Sequence, residues 1–141
     1  MKPSRLPAGR PTDHGPTQYF TFGPWEFNIN QAMILAGNTE KYQPESRRPS
    51  PDWVGPNIDI DEAHVERSDP SRPVIFATVI QDGDPWPLLI DGHHRVLKAL
   101  GQHAPVQSIT LDLADTLKIL KAPARALEQM KRDGQELGLL D

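Results

Sequence analysis

Five consecutive residues, Asp91-Gly92-His93-His94-Arg95, gather more chemistry than any other stretch of this 141-residue chain. Apolar Leu88-Leu89-Ile90 precedes them, and Val96, Leu97 and Leu100 follow at helical spacing, so they are expected to join a strand to a helix. The first amides of a helix have no intrahelical acceptor and carry partial positive charge, which favours an anion there. Gly92 permits a positive φ and lets a ligand approach the backbone closely. Arg95 adds a permanently charged fork able to grip a phosphate through two hydrogen bonds. His93 and His94 point about 100° apart on a helix, so one can face a ligand while the other faces the loop. Either is a candidate phosphate donor or proton carrier near neutral pH. Asp91 is a candidate helix cap, or a ligand to Mg²⁺ held by phosphates. The same residues also read as a plain Asp-Gly turn with solvent-facing histidines, since short motifs arise by chance.

Other side chains are candidates to complete such a site. In Asp61–Glu66, read as one helical turn, Glu62 and Glu66 share a face, and Glu62 is a candidate general base or cation ligand. A solvated acidic turn is the plainer reading. Arg72 precedes Pro73 and the strand that follows, and is a candidate phosphate contact. Lys98, one turn beyond Arg95, extends the positive patch or lies in solvent. Trp25, Trp53 and Trp86 are read as packing anchors rather than base-stacking platforms. There is no cysteine, which excludes thiolate metal sites and cysteine nucleophiles. A net charge of −4 argues against a broad, non-specific nucleic-acid surface.

These residues need elements to position them. Nine of the 15 prolines fall in residues 1–56, so the N-terminal third is expected to be rich in loops. Residues 1–16 read as a flexible Pro-rich arm, and residues 17–141 as one domain. A strand is expected over 18–22, broken by Gly23-Pro24, and a helix over 29–37 capped by Asn28. Residues 39–56, with four prolines, read as a long surface loop. A short strand over 58–60 is followed by the acidic turn. Val74–Ile80 and Trp86–Ile90 read as a hairpin through Asp82-Gly83, with Pro87 marking an edge or bulge. A helix after Gly92 stops near Gly101. A strand over 106–111 and helices over 113–120 and 124–137 complete the chain, with Asp112 or Asp115 as a cap. The fold class expected is α+β, a small mixed sheet with short helices. No apolar run is long enough to span a membrane and the first residues lack a signal-like stretch, so no membrane partner and a cytoplasmic location are expected.

The stretch Leu88–Gly101, with its strand, Gly92-x-x-Arg95 turn, helix and terminal glycine, resembles the central motif of the ParB/sulfiredoxin-like superfamily. That superfamily includes the ParB N-terminal domain, free serine kinases and sulfiredoxin. The flanking strands Val74–Ile80 and Val106–Leu111 fit the same order, so the resemblance covers about residues 57–120. It implies that Gly92 and Arg95 cradle nucleotide phosphates, with His93 and His94 at the variable positions between them. It also implies a nucleoside triphosphate, ATP or CTP, as ligand or substrate, with Mg²⁺. Hydrolysis of that triphosphate, or of a phosphodiester as in nuclease-like members, is the expected reaction, with His93, His94 and Glu62 as catalytic candidates. The alternative is a non-catalytic nucleotide-sensing module with DNA or a protein as partner. The sulfiredoxin reaction itself is excluded by the missing cysteine. Some twenty residues after Leu120 are too few for the helix-turn-helix module of a complete partition protein.

Overall fold

Val74–Gln81 (β4) is apolar on nearly every residue, VIFATVIQ, and a strand buried on both faces needs that pattern. The computed structural model, which describes residues 17–55 and 72–141, places β4 inside a four-stranded sheet of order β3-β6-β4-β5. The other strands of this sheet are Glu45–Arg47 (β3), Asp84–Asp91 (β5) and Val106–Leu111 (β6). β4 and β5 form an antiparallel hairpin with a register shift between Ile75 and Phe76, and β4 runs parallel to β6. The sheet is therefore mixed, as the class α+β leads one to expect. β5 is an edge strand, which is why Pro85 and Pro87 are tolerated in it. A parallel pair needs a crossover, and helix α2 (His93–Gln102) supplies it between β5 and β6.

A second sheet, order β1-β2-β7, is antiparallel and lies outside the single-sheet expectation. It is built from Tyr19–Phe22 (β1), Trp25–Asn28 (β2) and Leu120–Lys121 (β7). β2 turns into helix α1 (Ile29–Ala36), where the Asn28 side chain accepts the Gln31 amide at 3.0 Å. The remaining helices are α3 (Leu113–Ile119) and α4 (Ala124–Glu136). The expected 39–56 loop contains β3 and a 3-10 turn over Pro51–Trp53. The arm 1–16, the strand over 58–60 and the acidic turn with Glu62 lie outside the described residues. No described helix is long and apolar enough to cross a membrane.

Two apolar clusters divide the core. The larger joins Phe27, Ile29 and Ala32 to Ile75, Val79, Leu111, Leu113 and Met130. The smaller lies beneath α2: Val74, Phe76 and Leu89 of the sheet meet Val96 and Ala99 of the helix, and Trp53 packs against them. Each such buried aliphatic or aromatic side chain is worth about 1.5–3 kcal/mol relative to exposure, so α2 is fixed on the sheet by its Val96–Ala99 face. That docking sets the position of the helix's first turn.

Candidate functional site

The first turn of α2 starts from an unusual backbone. Gly92 is the N-cap residue, with φ 103° and ψ 20°, whereas a cap ordinarily sits in the extended region. It has no side chain to cap the helix, and the first intrahelical bond runs from the Val96 amide to the Gly92 carbonyl at 3.0 Å. A Cβ on Gly92 would stand 2.6 Å from Val74 Cγ1 and 2.8 Å from Val74 Cβ. The turn thus lies directly on the first residue of β4, and both φ and packing demand glycine before any ligand is considered.

Arg95 folds back over this turn. Its Nη2 lies 3.0 Å from Asp91 Oδ2, an i,i+4 ion pair, and 3.0 Å from where a Gly92 Cβ would be. The Arg95 side chain is 11 % exposed and Asp91 24 %. Arg95 Nε is buried and has no hydrogen-bond acceptor among the described residues. The fork expected to grip a phosphate is held at the helix mouth by a carboxylate. Asp91 is neither a side-chain cap of α2 nor a free acid; it is the counter-ion of Arg95.

His93 is packed rather than presented. Its ring stacks on Phe20 of β1, with centroids 4.9 Å apart. Burial pushes its pKa down to about 4; the nearby Asp91 charge and a hydrogen bond with the Leu89 backbone pull upward without offsetting it, and His94 adds to the depression. His93 is therefore a neutral imidazole at pH 7, not the proton carrier near neutrality that the sequence suggested. His94 and Lys98 are half-buried and both are engaged in interactions. Arg72 is exposed, two residues before Val74, and no hydrogen bond or ion pair joins it to the turn among the described residues. The structure thus gathers Asp91, Gly92, His93 and Arg95 at one helix start, and leaves Arg72 at the surface nearby.

The strongest polar cluster escaped sequence reasoning. Asp115, 3 % exposed, accepts hydrogen bonds from Tyr42 Oη at 2.6 Å, Lys41 Nζ at 3.0 Å and Lys118 Nζ at 2.9 Å. Lys41 also pairs with Asp112 at 2.9 Å, and Tyr42 Oη accepts the Asp112 amide at 3.1 Å. Burial pushes Asp115 upward, but the bonds from Tyr42, Lys118 and Lys41 prevail and hold it at about 2. Tyr42 is pushed up to about 12, by burial and by its bond to Asp115. The local signals were the Asp112–Asp115 spacing, which reads as a cap, and the i,i+3 spacing of Asp115 and Lys118; the Tyr42 and Lys41 partners lie over 70 positions away. Arg47 also found a place that spacing could not suggest, its guanidinium 5.1 Å from the Trp53 ring and 5.2 Å from Phe76. No family model, curated protein or solved structure matches this chain.

Proposed function

We propose that the Asp91–Arg95 turn binds the phosphate groups of a nucleotide, as in a ParB/sulfiredoxin-like domain, and that the domain senses the nucleotide rather than turning it over. The observation that carries this reading is the Arg95 guanidinium, held beside a helix start that has no side-chain cap. Two sources of positive potential, the first-turn amides and the guanidinium, converge there, with Asp91 the carboxylate paired to the guanidinium among the described residues. A phosphate arriving at this point meets donors already oriented, and it must contend with Asp91. Asp91 would be the residue to hold a nucleotide-borne Mg²⁺, whose charge would offset that repulsion, and one protein carboxylate is a usual protein share of an Mg²⁺–nucleotide site. The element order β4-β5-turn-α2-β6 supports the family resemblance.

Binding is favoured over hydrolysis because His93, neutral with a pKa of about 4, is a weak base for activating water. Any turnover of a triphosphate or phosphodiester would fall to His94 or Glu62. The test is calorimetric titration of the chain with ATP and CTP, with and without Mg²⁺. Saturable binding that requires Mg²⁺ is expected. Arg95→Lys, which keeps charge but loses the fork, should weaken it about tenfold, the scale of one charge-assisted hydrogen bond. Asp91→Asn should bind without needing Mg²⁺. Absence of saturable binding by the wild-type chain under every condition removes the reading.

A further inference from the structure

Four strands stand at sheet edges among the described residues: β1 and β7 in one sheet, β3 and β5 in the other. An edge strand offers unpaired N–H and C=O groups to any passing strand, and proteins blunt such edges with charge, proline, bulges or shortness. Three of these edges are blunted. β7 has two residues and ends on Lys121. β3 has three residues, two of them charged, with Pro44 before it and Pro49 shortly after. β5 carries Pro85 and Pro87. β1, Tyr19-Phe20-Thr21-Phe22, has no charge and no proline, and its pairing with β2 has no register shift. Two of its aromatic side chains, Tyr19 at 56 % and Phe22 at 39 %, are exposed.

We infer that β1 is a docking edge for β1 of a second copy of this chain, paired antiparallel about a two-fold axis at Phe20. The backbone directions fix the register. The Ile29 amide donates to the Gln18 carbonyl at 2.9 Å. By the alternation of an antiparallel ladder, Phe20 and Phe22 also turn their backbone groups toward β2, and Tyr19 and Thr21 turn theirs outward. Those two residues lie symmetrically about Phe20. Setting Tyr19 opposite Thr21 of the second copy, and Thr21 opposite its Tyr19, uses every outward donor and acceptor of both residues. An uncharged strand can face itself without opposing like charges, and each Tyr–Thr pair sets an aromatic ring against a β-branched side chain. The product is one continuous sheet of six strands with closed symmetry. The axis falls on Phe20, whose ring stacks on His93, so the second copy lies beside the start of α2.

One pair of four-residue strands buries little area, so the dimer is weak and concentration-dependent. Sedimentation velocity of the full chain from about 10 µM to about 1 mM should show the mean mass rise and level at twice the monomer mass. Thr21→Pro removes an outward donor without touching the bonds to β2, and should leave a monomer with an unchanged thermal midpoint. Tyr19→Lys, at an exposed position that does not bond β2, should weaken association at least tenfold, with partial recovery as salt is added. Hydrogen exchange of the Tyr19 and Thr21 amides should slow as wild-type concentration rises. A wild-type monomer at the highest concentration, growth beyond the dimer, or a dimer that persists in Tyr19→Lys would each overturn the inference.

Discussion

Helices α2 and α3 begin in opposite ways. At α3 the start is closed: Asp112 Oδ1 accepts the Asp115 amide at 2.8 Å, and the Asp115 carboxylate is itself bonded by Tyr42, Lys41 and Lys118. At α2 the cap residue is a glycine, and one carboxylate answers one guanidinium. Both starts hold an aspartate and a cation, yet their acids do different work. Asp115 lies inside its helix, nearly out of solvent, with three side-chain donors, so it fastens the Lys41–Tyr42 segment to the core. Asp91 lies before its helix, at a strand end, with a single side-chain donor among the described residues. It balances the positive potential of the turn without filling it. A helix start becomes a candidate ligand site when its own chain leaves donors over.

Breaking the closed start should have the largest effect on stability. Asp115→Ala leaves the Tyr42 hydroxyl without its acceptor in a partly buried position, frees Lys118 and leaves Lys41 paired with Asp112 alone. Lys41 and Lys118 are 41 % and 64 % exposed, so solvent takes over much of their role. The loss then rests mainly on the Tyr42 bond and the buried cluster, and should be about 2–3 kcal/mol by urea denaturation. An unchanged midpoint would mean that Asp115 is not the fastening of the Lys41–Tyr42 segment.

Gly92→Ala should cost somewhat less, about 2 kcal/mol, through its positive φ and the Val74 contact. The two causes separate in a double-mutant cycle with Val74→Ala, which removes both Cγ atoms. Partial recovery in the double variant is expected, because the Cγ1 conflict is relieved while the Val74 Cβ contact and the backbone strain remain. Full additivity would show that the Val74 Cγ1 contact does not help to demand the glycine. In either case nucleotide binding should weaken in Gly92→Ala, since the strained cap shifts the first-turn amides.

How much of this contrast was legible in the sequence depends on the range of the interactions. The open start was legible: an apolar strand, Asp91-Gly92 and a helical spacing through Val96, Leu97 and Leu100 are all local, and so was the Asn28 cap of α1. The closure of Arg95 by Asp91 has helical i,i+4 numbering, but Asp91 stands outside the helix, so spacing did not select that pair over a ligand. The fate of His93 depends on Phe20, and that of Asp115 on Tyr42, each more than seventy positions away. β2, β3 and β7 were missed because they are two to four residues long and take their conformation from the strands they pair with rather than from their own pattern. The side chains gathered at the α2 start were thus named from local pattern, while their burial and partners were fixed by long-range packing.

The finest test of the comparison is a separation in pH. His93 has its pKa depressed from 6.5 to about 4 in the folded chain, chiefly by burial against Phe20, with Asp91 opposing and His94 reinforcing the shift. Between those values the unfolded chain binds the proton more readily, so stability contributed at the α2 start is present above about pH 6.5 and falls away toward pH 4. Asp115 has its carboxyl lowered from 3.8 to about 2, so its contribution is intact above pH 4 and falls away toward pH 2. The two windows scarcely overlap. Thermal midpoints recorded on acidification should therefore drop in two stages, with His93→Gln flattening the first and Asp115→Asn the second. Tyr42, raised from 10.0 to about 12, adds a loss on the alkaline side as pH climbs through that interval, because the unfolded phenol gives up its proton first. Following the His93 ring carbons by NMR assigns the first stage directly. A midpoint near 6.5 for that ring would mean it stands in water, and the wall that β1 builds over the α2 start, on which the neutral state of His93 depends, would have to be given up.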